Sequence, residues 1–508
     1  MYFVYKNGAV SSAHELATEA GISILKLGGN AVDAAIATAF ALSVVDPQNS
    51  GIGGLGGYAT IYLKERKEVL VVNFGPQAPQ NSSPDMFINS SNTVGHKAVS
   101  IPTVLKGLST ISEKYGKLPL SKCIEPSRLL AEDGFRINSA LYRAINEDHL
   151  DSETKKVFQV GNVKEGDILK LPDYSKTLKK IQEQGEEVFY QGEIAESLLA
   201  LIKKGKGILT KEDLINYEVK IETPGNITYH GYDIYFPLFN SGGITMAQIL
   251  KIIENIELKE LTELEQLDAM YHVMQVAFED RFKVLEKRTV NQAEILHLIN
   301  EEYCKKAAKK IKRGEYSTYF NKSEDIGHTT HLCTVDQEGN MVSLTQTNGQ
   351  LWFGSGLTVP GTGIVLNCGM SQFSTDPLHP NAPQPSRSNL SNMTPTLALK
   401  NGRPFLAIGT PGSRRIITIV AAVIIQIIEL NKTLKEALDA PRIHYEGSAL
   451  WVEEGAWDLQ LLKLMTDKYS LENLSLEHFY GSTTAIQVIE DSYYPEVDNR
   501  FPGSAGGY

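Results

Sequence analysis

Two adjacent threonines, Thr329 and Thr330, stand at the start of a segment whose residue pattern predicts a β-hairpin. Residues 330–336 alternate polar and apolar side chains, which is the period of a half-buried strand. A turn-forming stretch follows, and residues 341–347 return as a second strand. Most threonine pairs on strands are ordinary β-branched sheet residues, so the hairpin by itself is weak support for chemistry.

A threonine hydroxyl becomes a useful nucleophile when a neighbouring base takes its proton. The base that needs no second side chain is the threonine's own α-amine, whose ordinary pKa of roughly 7.7–8.0 leaves an unprotonated fraction near neutral pH. That amine exists only if the chain is cut in front of the threonine. We therefore predict a cut between His328 and Thr329.

Length, charge and cysteine use restrict the class of protein. The chain has 508 residues, of which 42% are hydrophobic and 21% charged, as in an ordinary globular protein. Its net charge of −11 argues against binding to nucleic acid or to an anionic membrane surface. The four cysteines form no CxxC pair, which favours buried thiols in a reducing compartment. The first residues lack the pattern of a secretion signal, and the longest apolar run, residues 416–425, is shorter than the roughly 20 residues of a membrane span. We therefore expect a cytoplasmic protein.

The elements that must position the threonines read as mixed α and β. Ser12 is the predicted cap of a first helix, and residues 31–42 are apolar on all faces, which predicts a buried second helix. Residues 58–63 and 69–74 predict a hairpin. The stretch from about 103 to 313 is mostly helical by pattern, and no linker or repeat marks a domain boundary.

Signatures of other chemistries are out of context or incomplete. Residues 51–56 spell G-x-G-x-x-G, but a nucleotide loop needs a strand before it and a helix after it, and here the predicted order is reversed. We interpret this segment as a packed glycine turn that lets the backbone approach the site closely. His328 and His331 have no third ligand nearby, and no G-x-S-x-G elbow is present. We expect no metal and no cofactor.

Further motifs occur in a fixed order along the chain. They are Gly354–Gly356, Gly363–Asn367, Leu390–Thr396 and Gly409–Thr418 after the hairpin, and Ser11–His14, Gly28–Ala35, Ser50–Gly54, Tyr115–Leu120, Ala131–Phe135 and Gly503–Tyr508 elsewhere. In this order the chain resembles the gamma-glutamyltranspeptidase family, a branch of the N-terminal-nucleophile hydrolases, nearly from end to end. The resemblance implies an α+β fold, a four-layer αββα sandwich. Two processed pieces, residues 1–328 and 329–508, would form it jointly.

The resemblance also implies catalytic roles. The Thr329 hydroxyl would attack the carbonyl of His328 to cut the chain, and later a substrate amide to form an acyl-enzyme. Thr347 would hydrogen-bond the Thr329 amine and orient it. Gly412 and Ser413 match the family's paired glycines, whose N–H groups form the oxyanion hole. Such donors are each worth about 3 kcal/mol of barrier, and serine retains the N–H.

The substrate-recognition positions depart from the family pattern. Gly75 stands in place of the arginine that binds the substrate α-carboxylate. Gly369 replaces an amide-bearing glutamine, and Gln372 replaces the aspartate that binds the α-amine. The paired serines that hold the carboxylate read Ser391 and Asn392. Loss of a guanidinium and an ion-pairing carboxylate should weaken recognition of an α-amino-acid group strongly.

Two further substrate-binding positions stay open at this point. The asparagine that follows the second strand in the family aligns with Asn348 if a residue is inserted after it, and with Gly349 if not. Arg414 stands where the family usually has serine. It is either a substitute anchor for a substrate carboxylate or an arginine with a structural role.

Three functions follow as expectations. The first is an autoprocessing threonine amidohydrolase or acyltransferase that cleaves a gamma-glutamyl-like amide. The second is an acylase for another acyl group, such as a glutaryl-like dicarboxylic monoamide. The third is a non-catalytic homologue, against which the retained Thr329, Thr347 and Gly412 argue. The expected partners are a small-molecule amide, water or an amine acceptor, and the chain's own two fragments as a heterodimer. A dimer of these heterodimers is left open, and no nucleic acid or membrane partner is expected.

Overall fold

The computed structural model describes residues 4–287, 291–315, 327–455, 457–458, 460–461, 463–464, 471–474 and 481–508. The strands are β1 (Gly8–Ser12), β2 (Gly56–Leu63), β3 (Glu68–Phe74), β4 (Phe135–Arg136), β5 (Ile168–Leu169), β6 (Lys220–Glu222), β7 (Gly225–Tyr229), β8 (Tyr232–Phe236), β9 (His328–Asp336), β10 (Met341–Gly349), β11 (Thr396–Lys400), β12 (Arg403–Gly409), β13 (Ile443–His444), β14 (Leu450–Glu453), β15 (Leu471–Leu474), β16 (Thr484–Ile489), β17 (Ser492–Val497) and β18 (Ser504–Gly507).

The helices precede, separate and follow these strands. They are α1 (Glu15–Lys26), α2 (Ala31–Val45), α3 (Val104–Tyr115), α4 (Leu120–Asp133), α5 (Ser139–Ala144), α6 (Ser152–Val157), α7 (Pro172–Gln184), α8 (Glu187–Tyr190), α9 (Glu193–Lys204), α10 (Lys211–Asn216), α11 (Gly243–Ile253), α12 (Glu263–Asp280), α13 (Gln292–His297), α14 (Glu301–Lys312), α15 (Arg415–Ile428) and α16 (Leu434–Asp439). A π-helical turn, Arg281–Leu285, follows α12 directly.

Two large antiparallel sheets form the centre of the molecule. The first has the strand order β18-β1-β9-β10-β2-β3-β6, and the second has the order β17-β16-β12-β11-β8-β7. Residues before and after Thr329 contribute strands to both sheets. The sheets pack face to face through apolar side chains such as Val335, Met341, Leu397 and Ile486. The hairpin predicted from the threonine segment is confirmed as β9 and β10.

Helices cover the outer face of each sheet. Helices α1 to α4 belong to one apolar core with residues of β2, β9 and β10. Helices α11, α12, α14 and α15 belong to another core with residues of β8, β11 and β12. Every residue of α2 is buried, as its all-apolar pattern predicted, and α15 is largely buried as well. The four-layer αββα expectation is therefore confirmed.

Strand alternation decides which way each residue of the central hairpin points. Leu332 and Leu344 face the helices, because they belong to the same core as α2. Cys333 and Met341 face the second sheet. Thr329 lies on the odd-numbered face with Cys333, so its side chain is directed towards the second sheet at the end of the strand.

Two details of the predicted elements are wrong. Helix α1 is capped by His14, whose Nδ1 accepts the N–H of Leu16, and not by Ser12. Ser12 is instead the last residue of β1, where pairing with β9 and β18 holds it in extended backbone. The stretch predicted as mostly helical also contains three strands, β6 to β8. Their short length and exposed alternate residues made the pattern hard to separate from its helical surroundings.

The glycine turn before β2 is packed as predicted. A side chain at Gly54 would place its Cβ 2.8 Å from the carbonyl oxygen of Thr347, and one at Gly53 would overlap the carbonyl of Val365. Backbone N–H of Leu55 donates to the Thr347 carbonyl at 3.0 Å. The absence of side chains lets this turn lie directly against the end of β10.

Candidate active site

The two threonines of the hairpin meet at the end of the first sheet. Thr329 Oγ1 donates to Thr347 Oγ1 at 3.3 Å, and Thr347 Oγ1 donates to the carbonyl oxygen of His328. The N–H of Gly349 donates to Thr347 Oγ1 at 2.9 Å. A β-bulge between Gln346 and Gly349 re-aims the backbone here. One hydroxyl therefore connects the predicted nucleophile with the carbonyl of the predicted scissile bond.

The turn between β12 and α15 carries the predicted oxyanion donors. Among the described residues, neither the N–H of Gly412 nor that of Ser413 has a hydrogen-bond acceptor. Ser413 adopts φ +57°, a left-handed conformation that is costly for a residue with a side chain and typical of functional sites. A Cβ at Gly327 would lie 3.3 Å from Ser413 Cβ, so the turn lies against the residue that precedes His328.

One cavity, which we call the acyl cavity, brings six of the residues predicted from sequence together. They are Thr329, Thr347, Gln372, Ser391, Asn392 and Ser413. Its wall also includes Leu55, Pro76, Gly327, Gly349, Asn389, Met393 and Ile416. None of these lining residues carries a formal charge. An acyl group bound here would be held by neutral hydrogen-bonding side chains.

Asn348 lies outside the acyl cavity. Its side chain is fully buried, and its Nδ2 donates to the carbonyl oxygen of Pro47 at 2.9 Å. Gly349 lines the cavity in its place. Of the two alignments that the sequence left open, the geometry favours the one without an insertion, in which the family's asparagine is a glycine.

Arg414 lies in a wider cleft beside the acyl cavity. Its Nη1 forms an ion pair with Glu446 Oε1 at 3.0 Å, and its guanidinium stacks 5.2 Å from the centre of the Phe282 ring. The cleft, of about 740 Å³, shares Gln372 and Asn392 with the acyl cavity. These contacts agree with a structural role, and the position beside the shared residues leaves the predicted anchoring role to experiment.

The two positions that lost the family's recognition side chains have no room for them. A Cβ at Gly75 would lie 3.0 Å from Tyr58 Oη and 2.9 Å from Asn73 Oδ1. A Cβ at Gly369 would overlap the hydroxyl of Ser100. Both hydroxyls are held by hydrogen bonds of their own. The departure from the family pattern is therefore built into the packing, and one substitution would not reverse it.

Two residues around the acyl cavity escaped the sequence analysis. Arg281 is buried, and its Nη2 donates to the carbonyl oxygen of Ser391 at 2.9 Å and to Asn392 Oδ1 at 2.6 Å. It lies on the π-helical turn, a feature frequent at functional sites. Asn389 donates its Nδ2 to Gln372 Oε1 at 3.3 Å. No motif marks either residue, because their roles depend on contacts between distant segments.

The environment of the scissile bond keeps His328 neutral. Burial and the positive charge of Arg415 lower the pKa of His328 to about 3. Its ring packs 4.9 Å from that of Trp352 at a tilt of 36°. Within the described part of the chain, no group of three or more histidine, cysteine or acidic side chains could hold a metal ion.

Asp46, at the C-terminal end of α2, is a buried carboxyl near this bond. Its Oδ1 accepts hydrogen bonds from Gln48 Nε2 at 2.7 Å and from Asn49 Nδ2 at 2.8 Å. Burial raises the pKa of Asp46 to about 7 in spite of the hydrogen bond from Asn49. The Thr330 hydroxyl also favours the charged form, but outside hydrogen-bond geometry.

We expect Asp46→Asn to flatten the pH dependence of stability. The folded-state pKa of Asp46 lies above its unfolded value, so the folded state binds this proton more tightly. Its stabilising contribution is complete below about pH 4 and is lost as the pH rises to about 7, by about 1.4 kcal/mol per pH unit. Urea midpoints from pH 4 to 8, measured in a Thr329→Ala background that stays uncut, should fall less steeply for Asp46→Asn. Parallel curves for the two proteins would contradict the prediction.

Two stacked sheets between helical layers, with a threonine at the end of a central strand, define the fold of the N-terminal-nucleophile hydrolases. The model of the family described as Gamma-glutamyltranspeptidase matches residues 17–508, and the chain belongs to this family. It is 34% identical to the glutathione hydrolase proenzyme of Bacillus subtilis (strain 168), over 94% of this chain and 89% of that protein.

Acylases are among the similar proteins as well. The chain is 31% identical to the Acylase ACY 1 proenzyme of Pseudomonas sp. (strain V22), over 88% of this chain and 84% of that protein. The crystal structure of cephalosporin acylase from Bacillus halodurans superposes with a TM-score of 0.91 at 27% identity, over 100% of this chain and 97% of that one. The protein is therefore an enzyme, an N-terminal-nucleophile amidohydrolase or acyltransferase. No helix in the described residues is long and apolar enough to cross a membrane.

Proposed function

We propose that this chain is a proenzyme that cuts itself before Thr329 and then hydrolyses or transfers the acyl group of a small amide through an ester on Thr329. The observation that carries the proposal is the hydrogen-bonded series from Thr329 Oγ1 through Thr347 Oγ1 to the His328 carbonyl oxygen. It joins nucleophile, proton donor and electrophile within one hairpin.

In the uncut chain, Thr329 Oγ1 attacks the carbonyl carbon of His328. The hydrogen bond from Thr347 stabilises the negative charge that develops on the carbonyl oxygen. The bond from carbon to the Thr329 nitrogen breaks, and that nitrogen takes up the hydroxyl proton and becomes the α-amine. Water then hydrolyses the resulting ester, which releases residues up to His328 as a separate fragment.

In the processed enzyme, the new α-amine of Thr329 takes the proton of its own hydroxyl while Oγ1 attacks the substrate amide. Thr347 orients the amine. The N–H groups of Gly412 and Ser413, which have no acceptor in the described structure, supply the oxyanion hole. The acyl group stays on Thr329 as an ester until water or an amine removes it.

The acyl group that this site fits best lacks the α-amino-acid end of a gamma-glutamyl group. The acyl cavity has no charged side chain in its wall, and the spaces of the missing arginine and glutamine are filled by Tyr58 and Ser100. We therefore favour an acylase that accepts a glutaryl-like or other simple acyl group. Gamma-glutamyl hydrolysis is the second candidate, because the chain is 34% identical to a glutathione hydrolase proenzyme over most of its length.

We expect a glutaryl p-nitroanilide to be cleaved about as well as the matching gamma-glutamyl compound, with kcat/KM values within about tenfold. A site with the usual ion-pairing clamp would favour the gamma-glutamyl group by several orders of magnitude, because its charged groups would otherwise stay unpaired. Both substrates should be assayed with the purified, processed enzyme, and an unprocessed Thr329→Ala protein serves as the blank.

A strong preference for the gamma-glutamyl compound would show that other residues rebuild the clamp and would favour the second candidate. Arg414 would then be the first residue to test. Arg414→Ala should remove the preference but leave self-cleavage intact if this arginine binds the substrate. A general loss of stability would indicate that its ion pair with Glu446 is structural.

A further inference from the structure

A second cavity, which we call the polar cavity, opens beside the predicted scissile bond. Its volume is about 70 Å³, and both residues of the bond, His328 and Thr329, lie in its wall. Asp46, Gln48 and Ser482 line it as well. The sequence analysis assigned no role to these three residues, and none of them lines the acyl cavity.

Each of these three side chains places an oxygen without a hydrogen-bond partner in the buried wall. Asp46 is 7% exposed, Gln48 is 1% exposed and Ser482 is 6% exposed. Asp46 Oδ2, Gln48 Oε1 and Ser482 Oγ have no hydrogen-bond partner among the described residues. Buried oxygens of this kind cost free energy unless a ligand or solvent donates to them. The cavity is therefore suited to a compact ligand that offers N–H or O–H donors.

The three oxygens are held in place by their other contacts. Gln48 Nε2 donates to Asp46 Oδ1 at 2.7 Å, which fixes both side chains and leaves Gln48 Oε1 as an acceptor. Arg442 holds the residues on either side of Ser482. Its Nη1 donates to the carbonyl oxygen of Gly481 at 2.8 Å, and its Nη2 donates to Thr483 Oγ1 at 2.9 Å. The site is thus formed before any ligand binds.

We propose that the polar cavity binds the nucleophile that removes the acyl group from Thr329: water in hydrolysis and a small primary amine in transfer. This inference rests on the proposed function. The cavity touches the reacting residue from a wall that the acyl cavity does not share, apart from Gly327 and Thr329. A bound water needs at least about 10–15 Å³, so this space fits a few waters or one small amine. The ring of Trp352 and the side chain of Phe501 offer apolar contact to the carbon of an amine.

Asp46 is the proton acceptor in this step. The water oxygen bonds to the acyl carbon as its proton passes to the Asp46 carboxylate, and the tetrahedral intermediate then expels Thr329 Oγ1. That oxygen takes the proton from Asp46, which restores both groups and releases the acid. With a pKa raised to about 7 by burial, Asp46 is partly ionised at neutral pH, as a general base requires. Arg143 and His328 are the other titratable side chains in the cavity wall.

Rapid-quench mass spectrometry of the processed enzyme tests the inference, with a p-nitroanilide that the wild type cleaves. We expect Ser482→Ala and Asp46→Asn to retain the acylation rate within about threefold. Removal of the acyl group should slow by about tenfold or more, so that acylated Thr329 fragment accumulates at steady state. Methylamine should capture less of the acyl group in the variants than in the wild type at equal concentration. Ser127→Ala is the matched control, because Ser127 Oγ is also buried without a partner but lies on α4, outside both cavities.

The outcomes separate the two levels of the proposal. Unchanged deacylation in Ser482→Ala and Asp46→Asn, or equal slowing of acylation and deacylation, would overturn the assignment of the polar cavity while leaving the threonine mechanism intact. A slower water reaction with normal methylamine capture would overturn the amine part. A wild-type enzyme that shows neither self-cleavage nor an acylated Thr329 fragment would instead contradict the proposed function. Ser482→Ala removes one buried oxygen atom, so it reports on the cavity even if Asp46→Asn folds poorly.

Discussion

Thr329→Ala is expected to abolish both self-cleavage and amide turnover. The substitution removes the only atom that can form the ester in either reaction, and loss of the nucleophile in comparable enzymes costs about 10⁵-fold or more in kcat. Intact mass should show a single uncut chain after incubation that fully cuts the wild type. N-terminal sequencing of the wild-type small fragment should begin at Thr329.

Thr329→Ser is the matched variant for this prediction. It retains a hydroxyl and an α-amine in the same place, so slower cutting and residual turnover are expected. A small fragment that begins at another residue would remove the proposed nucleophile. Full turnover by an uncut Thr329→Ala chain would do the same, because it would separate catalysis from the new N-terminus.

Thr347→Val is expected to slow self-cleavage by about 10²–10³-fold, the usual effect of removing one donor to a developing oxyanion. Valine keeps the shape of threonine but cannot donate to the His328 carbonyl oxygen or accept from Thr329 Oγ1. Thr347→Ser should retain most of the rate. The fraction of cut chain should be followed with time on denaturing gels after synthesis at low temperature.

A neighbouring threonine provides the control for this second prediction. Thr345 lies two residues earlier on β10, and its Oγ1 bonds to His331 Nδ1 at 2.8 Å instead of to the scissile bond. Thr345→Val should cut at a rate within about threefold of the wild type. Equal slowing in both variants would mean that β10 tolerates no such change, and unaltered cutting in Thr347→Val would assign the oxyanion to other donors.

Local patterns were sufficient for the elements around the nucleophile. Polar and apolar alternation with a turn between predicted the hairpin of β9 and β10, because strand period and turn chemistry act over a few residues. The reversed order of helix, glycines and strand excluded a nucleotide loop, and the structure contains that order as α2, the turn and β2. The resemblance to a family added the nucleophile, which pattern alone could not separate from an ordinary strand threonine.

Capping and pairing at the N-terminus illustrate how tertiary contacts override a local signal. Ser12 and the acid three residues later are a normal helix-start signal. In the folded protein, Ser12 pairs with Leu332 of β9 and with Ser504 of β18, so its backbone is held in the sheet and the helix starts later. Pairing partners so far along the chain leave no mark in the local pattern.

The chemistry of the hairpin was determined by the sequence, because a threonine and its strand neighbours are adjacent in the chain. The selectivity of the site was decided by tertiary structure. The bulge that turns Thr347 to the scissile carbonyl, the hydroxyls of Tyr58 and Ser100 that fill the recognition positions, and the charge of Arg281 behind Ser391 all come from distant segments. The polar cavity joins Asp46 and Gln48 near one end of the chain with Ser482 near the other. Such groups meet only when strand register and sheet packing bring their backbones together, since hydrogen bonds and steric overlap act over a few ångströms and carry no information about separation in sequence.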